Sequence, residues 1–331
     1  MQIRSNFKNM PAVLNVVTHV GAPAYLFLRG DNGSGKSAIV HSVEWALTGL
    51  AADAGGRDIK SKSYVHTLAC GTEAKVEVKI DNRLYVGGDH PPYHNVMSEA
   101  LAAIGGSSTA LVDYLLAHGS ALDEIETDVS LDYMSWENWV KSEGGVRRAL
   151  ARIRKAASSS LSKARAEVKE AKTVLKYADV TGVREILVSA LKAEKDAKRL
   201  KNMCDAAALS WTKQVSAYVA PDYLQFHFGK NEVRLGLKGN GPVPSGAELV
   251  EAAIHLAKAT RDPSTSVYVL PDRAYDPSRL SHLMRLLRMI PAVIVIAQSP
   301  IEPDESYDYQ KFWATVDVSI EFAIEKGKCH D

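Results

Sequence analysis

Eight consecutive residues have the types and spacing needed to hold a phosphate. Gly30 is followed after four residues by Gly35-Lys36-Ser37, and the intervening Asp31-Asn32-Gly33-Ser34 contributes a third glycine. Glycines let successive backbone N–H groups turn inward around an anion, a lysine at position 36 can reach the β- and γ-phosphates of a nucleotide, and Ser37 can offer its hydroxyl to Mg²⁺. A helix opening at this point adds the positive end of its dipole. Asn32, Gly33, Ser34, Gly35, Lys36 and Ser37 are therefore the candidate nucleotide-binding set.

Such a loop works only between a strand and a helix. Tyr25-Leu-Phe-Leu-Arg-Gly30 reads as a short apolar strand, and Ala38-Ile-Val-His-Ser-Val-Glu-Trp-Ala-Leu47 as an amphipathic helix, so the context is the required one. Downstream, Ala74-Lys-Val-Glu-Val-Lys-Ile80 alternates with period two, and Asp81-Asn-Arg83 separates it from Leu84-Tyr-Val86. That predicts an antiparallel hairpin.

The whole chain sets the limits within which these parts must fit. Its 331 residues suit one large domain or two ordinary ones, and 46% hydrophobic with 24% charged residues describes a globular protein rather than a disordered one. Cys70, Cys204 and Cys329 stand at wide spacing and encode neither a disulfide framework nor a zinc cluster, so a reducing, cytoplasmic setting is expected. Pro11 to Leu28 faintly imitates a signal peptide, but Asn15, Thr18 and His19 interrupt it, and it reads as strands. No segment offers the ~20 apolar residues of a membrane span, and no membrane partner is expected.

From Val146 the period changes. Val146, Leu150, Ile153, Ala157, Leu161, Ala164, Val168, Ala171 and Leu175 recur every three or four residues, a heptad seam with one stutter, which predicts a helix roughly 50 Å long ending near Ala178. After Asp179-Val-Thr-Gly182 a second apolar series returns from Val183 through Trp211 and Val215 to Tyr218. The two form an antiparallel helical hairpin, dividing the chain into 1–145, 146–218 and 219–331.

This arm breaks the charge balance. Of the 40 basic and 39 acidic residues, segment 146–218 holds 17 and 7, leaving 23 and 32 elsewhere. Arg147, Arg148, Arg152, Arg154 and Lys155 cluster at its base. A charge run is often only a solvated face. Concentrated in one element, however, it also suits sequence-independent contact with DNA phosphates, and these five residues are the candidate DNA-binding set.

Beyond the arm come a strand pair, Leu224 to Phe228 and Glu232 to Leu237, and a helix from Gly246 to about Thr260. The strand Ser266 to Leu270, a helix from Pro277 to Met289, and the strand Ala292 to Ala297 then predict a β-α-β crossover in a parallel sheet.

Asp31-Asn-Gly-Ser-Gly-Lys-Ser37, followed by Glu44-Trp-Ala-Leu-Thr-Gly49, resembles the head of the structural-maintenance-of-chromosomes superfamily, in particular its SbcC-type and RecF-like DNA-repair branches. The order of parts agrees along the whole chain. The resemblance implies an α/β fold: an ABC-type P-loop NTPase head interrupted by an antiparallel coiled-coil hairpin. It further implies ATP and Mg²⁺ as cofactors, a homodimer whose paired heads sandwich ATP, DNA as a non-sequence-specific partner, and a possible nuclease subunit. Pro244-Ser-Gly-Ala-Glu248 matches the family's Leu-Ser-Gly-Gly-Glu signature at Ser245, Gly246 and Glu248, so Ser245 is expected to meet the γ-phosphate held by a second copy. A plain Ser-x-x-Glu capping box is the competing reading of the same residues. Pro271-Asp-Arg-Ala-Tyr-Asp-Pro277 resembles the family's Pro-x-x-x-x-Asp-Pro run and puts Asp276 in the D-loop position.

Three departures bear on hydrolysis. The acidic pair expected just before that proline is Val269-Leu270, with Asp272 the substitute metal-side acid and Arg273 standing where a catalytic Glu belongs. His118-Gly119 occupies the place of the family's Gln-Gly, and Gln298 that of its switch histidine. Asp272, Gln298 and His118 are thus the candidate catalytic residues, with Ser37 and Asp272 on the metal. Phosphoryl transfer depends on Mg²⁺ and a positioned water, so slow turnover is expected. The alternative is a pseudo-ATPase scaffold that binds nucleotide without turnover and organises a protein or DNA partner. A small P-loop kinase fits poorly, because it has no use for the basic hairpin.

Overall fold

The computed structural model describes residues 1–16, 24–31, 33–52, 59–60, 62–80, 82–88, 93–133, 135–177, 181–229, 232–239, 244–271, 275–288, 290, 292–297 and 314–317. Asn32, Asp272 and Gln298 lie outside them. The chain begins with β1 (Gln2–Ser5) and β2 (Val13–Asn15), then runs through β3 (Ala24–Arg29) into α1 (Lys36–Thr48). The short β4 (Ala51–Ala52), β5 (Ile59–Lys60) and α2 (Lys62–Leu68) precede β6 (Val76–Ile80) and β7 (Arg83–Val86). β8 (His94–Asn95) leads into α3 (Val96–Gly105), and four helices follow: α4 (Ser108–His118), α5 (Trp136–Glu143), α6 (Val146–Leu175) and α7 (Thr181–Val219). The last third holds β9 (Leu224–Phe228), β10 (Val233–Leu237), α8 (Gly246–Thr260), β11 (Ser266–Val269), α9 (Pro277–Leu286), β12 (Ala292–Ala297) and β13 (Ala314–Asp317).

These elements form two compact units. One comprises residues 1–107, 219–227 and 234–331, and the other residues 108–218 with 228–233. The helical unit therefore starts at Ser108, well before the apolar seam at Val146, because α4 and α5 join the two long helices.

Within the first unit the expected mixture of sheets is present. β2, β1, β6 and β7 form an antiparallel sheet in that order, with Ile80 opposite Arg83 at the tight end of the β6–β7 hairpin. A second sheet, in the order β13-β3-β12-β11-β8, is parallel throughout. β3, β11 and β12 are near-continuous apolar runs of the sequence, the pattern typical of strands in parallel sheets. β11 and β12 pair in parallel, Val267 beside Ala292 and Val269 beside Ile294, and α9 makes the crossover between them. Ile39, Val40, Val43, Ala46 and Leu47 of α1 are buried in one cluster with Leu26 and Leu28 of β3 and with Ile3, Val76 and Val78 of the antiparallel sheet. α1 is thus clamped by the cores of both sheets, which fixes its first turn.

In the helical unit, Leu150, Ile153, Ala157, Leu161, Ala164, Val168 and Ala171 of α6 are buried, as the seam predicts, together with Ala190, Cys204, Ala207, Ala208, Trp211 and Val215 of α7. Arg154 pairs with Asp205 and Arg165 with Glu194, so eleven residues forward on α6 match eleven backward on α7. The two helices run antiparallel. Tyr218, expected to close the seam, is exposed instead. One cysteine also departs from expectation: Cys70 is disulfide-bonded, whereas Cys204 is a free, buried thiol. Among the described residues no helix is long and apolar enough to cross a membrane.

Candidate nucleotide-binding site

The chain lays down β3, β8, β11 and β12 on one side of the parallel sheet, then crosses to place β13 on the far side of β3. In open α/β sheets ligands bind outside the carboxyl ends of the strands at such a reversal. The Gly30–Ser37 loop leaves β3 at that point. Because the sheet is parallel, β11 and β12 end on the same edge as β3.

Backbone geometry explains the glycines. Gly30, Gly33 and Gly35 have φ of 150°, 81° and 99°, values at which a side chain costs roughly 1–2 kcal/mol. Lys36 is only 3% exposed, and its Nζ donates to the carbonyl oxygens of Gly30 and Asp31, each at 2.7 Å. The ammonium is folded over its own loop. Ser37, the second residue of α1, is half-buried.

The start of α1 differs from the other long helix starts in this unit. Gly35 supplies no side-chain cap, and no acid stands in the first turn of α1. By contrast, Asn95 caps α3, Ser245 caps α8 and Asp276 caps α9, each accepting a backbone N–H. Beside the bare end, the Ser34 hydroxyl is fully buried and has no hydrogen-bond partner among the described residues. An orphaned buried hydroxyl costs about 1–3 kcal/mol. An anion accepting from this hydroxyl and from the first-turn N–H groups removes that cost, so the residues present fit a phosphate chain.

The other expected residues divide. Val269 and Leu270 are buried apolar side chains at the end of β11, so neither of these two positions carries a carboxylate. Ser245 is exposed and forms a complete capping box: its Oγ accepts from Glu248 N at 3.4 Å, and its own N–H donates to Glu248 Oε2 at 2.6 Å. Gly246 opens α8 behind it. Asp276 is likewise exposed, and hydrogen bonds from the Ser278 hydroxyl and then the Arg279 N–H hold its carboxyl below the usual range. His118 closes α4 in the helical unit, its ring edge-on to Tyr114 at 5.2 Å, whereas Lys36 belongs to the other unit.

The five basic residues at the base of α6 are not equivalent. Arg147 is 8% exposed: Nε and Nη2 donate to the two oxygens of Asp123 at 2.6 and 2.9 Å, and Nη1 to the Leu116 carbonyl at 2.6 Å. Arg154 is held between Asp205 and Asp113. Both therefore have their donors engaged within the unit. Arg148, Arg152 and Lys155 remain outward: the first two make looser ion pairs, to Asp123 at 3.4 Å and Glu143 at 3.2 Å, and Lys155 has no carboxylate partner among the described residues. Burial alone raises the Asp205 carboxyl, but hydrogen bonds from Arg154 and Lys201 outweigh it and hold the group below its ordinary value.

No known family model matches the chain, and no curated protein matches it.

One polar cluster went unread in the sequence: Glu251 is 2% exposed, between Arg279 and His282. Its signal was available, because Glu248 and Glu251 share one face of α8 at a spacing of three, and Arg279 and His282 do the same on the next long helix.

Proposed function

We propose that the chain binds ATP with Mg²⁺ at the first turn of α1 and acts on DNA as a protein of the SbcC and RecF-like type. Its heads pair around nucleotide, hydrolysis is slow, and the work is repair, recombination or end processing of DNA. The observation that carries the reading is the unspent start of α1: three left-handed glycines, no cap, an orphaned Ser34 hydroxyl, and Lys36 folded over the loop.

The first-turn N–H groups and Ser34 would hold the phosphate oxygens, Lys36 would turn from the carbonyls of Gly30 and Asp31 to the terminal phosphates, and Ser37 would ligate Mg²⁺. Bound Mg²⁺ supplies charge neutralisation between the phosphates. Ser245 and Asp276 are the residues a second copy would bring. In this reading the first unit is an ABC-type head and α6 with α7 a short coiled-coil arm, whose Arg148, Arg152 and Lys155 face the DNA backbone.

A second reading, the pseudo-ATPase scaffold, is favoured by Val269 and Leu270, which put buried aliphatic groups where the resemblance implies the acids of hydrolysis. Calorimetry with ATP and Mg²⁺, followed by phosphate release at several protein concentrations, tests both. Tight binding with turnover that rises cooperatively with concentration supports the clamp. Binding without turnover supports the scaffold. No retained nucleotide overturns both.

A further inference from the structure

The densest polar cluster outside the phosphate loop lies between α8, α9 and Tyr223. Glu251, buried on α8, accepts from Arg279 Nη1 at 2.6 Å and from His282 Nε2 at 2.9 Å, and burial, then the nearby Glu251 carboxylate, push the Tyr223 phenol up. A carboxylate so deeply buried is tolerated only because it is surrounded by donors. Aliphatic side chains of similar volume hold two helices together as well or better, so stability is not what an ionic hub adds. It adds direction.

The direction is toward the two exposed helix starts. The guanidinium that meets Glu251 also reaches Glu248 Oε1 at 3.9 Å, and the Glu248 carboxylate receives the Ser245 N–H at 2.6 Å. The backbone N–H of the same Arg279 donates to Asp276 Oδ1 at 2.8 Å. One residue therefore touches the cap of α9 through its main chain and the cap of α8 through its side chain, and Glu251 locks that side chain in place.

We propose that Glu251 and Arg279 are positioning residues that join the starts of α8 and α9 into a single rigid edge, so that Ser245 and Asp276 engage a second copy's nucleotide together or not at all. This rests on the reading of Ser245 and Asp276 as the pairing edge. Rigidity is useful there because an interface that must order its own side chains on docking loses affinity for each one immobilised.

The test has two arms. Hydrogen exchange on the unpaired chain reads the coupling alone. Glu251→Gln, which preserves shape, lowers protection about tenfold at the first turns of both α8 and α9 and leaves α3 unchanged. Tyr223→Phe, which removes the hydroxyl beside Glu251, does the same to a smaller degree and serves if Glu251→Gln does not fold. Loss confined to one helix, or no loss, overturns the proposal. Sedimentation with ATP reads the consequence: Arg279→Ala raises the dimer dissociation constant about tenfold, roughly 1.4 kcal/mol, Arg279→Lys recovers part of it, and nucleotide affinity of the single chain stays within about twofold. Unchanged dimerisation in Arg279→Ala overturns it as well. If the unaltered chain never pairs with ATP, the pairing reading fails, while the exchange arm still decides whether the hub joins the two helix starts.

Discussion

Two regions of this molecule were expected to meet phosphate, the first turn of α1 and the base of α6, and they differ in how much of their bonding capacity is already used. At α1 the cap is missing, no acid stands in the first turn, and the Ser34 hydroxyl is buried without a partner among the described residues. At the base of α6, Arg147 places Nε, Nη1 and Nη2 on Asp123 and Leu116, and Arg154 is divided between two aspartates. A count of positive charges ranks the second region higher; unsatisfied donors rank the first higher. What a site can bind is set by the groups its own fold leaves unpaired.

Substitutions can break this contrast. The largest effect belongs to Arg147→Ala, which leaves Asp123 without its buried bidentate partner and lowers unfolding stability by about 3 kcal/mol, whereas Arg152→Ala stays within about 0.5 kcal/mol in the same denaturant titration. Equal effects at the two positions would show that the inward and outward arginines are not distinct. Next, Lys36→Ala lowers ATP affinity about 100-fold, roughly 2.7 kcal/mol, by calorimetry; affinity kept within threefold would remove α1 from the nucleotide site.

The outward cations come third. Replacing Arg148, Arg152 and Lys155 together by Glu weakens DNA binding about tenfold at low salt, uniformly across sequences, and flattens the salt dependence by nearly one power of salt concentration for each lost phosphate contact. An unchanged salt slope would take the arm out of the DNA contact. Asp205 gives a smaller effect with a definite sign. Its folded carboxyl titrates below the ordinary aspartate value of about 3.9, so it stabilises the hairpin above that pH and ceases to as the pH falls through the lower folded value. Asp205→Asn therefore costs about 1 kcal/mol near neutrality and flattens the acid limb of the stability curve. Smallest are the two serines, and they have opposite signs: Ser245→Ala loses a cap worth about 1 kcal/mol, while Ser34→Ala, which discards a buried hydroxyl with no partner among the described residues, raises the stability of the nucleotide-free chain by about 1 kcal/mol in the same titration.

Much of the fold was legible in local pattern. The spacing of Val146 to Leu175 named α6 within the residues observed, the alternation of Ala74 to Ile80 named a hairpin, and Ser266 to Ala297 named a parallel crossover. The glycines of the Gly30–Ser37 loop were legible for the same reason, since a backbone turn is specified within a few residues. Less visible was which polar groups are spent. Asp123 lies 24 residues from Arg147, Asp205 lies 51 from Arg154, and Glu251 lies 28 from Arg279. The Ser245 box, closed within one turn, was read in advance, and the structure forms it.

By itself, the order of residues determined where the chain is strand, loop and long helix, and that a glycine-rich turn carrying Lys36 opens a helix, because those features follow from periodicities and torsions that neighbours impose on one another. Tertiary structure alone decided that the turn sits where the parallel sheet reverses, that Arg147 and Arg154 face inward, and that Glu251 joins two helix starts. Hydrogen bonds saturate: a donor occupied by a residue brought from far along the chain is no longer available to a ligand, and no local pattern records that occupation.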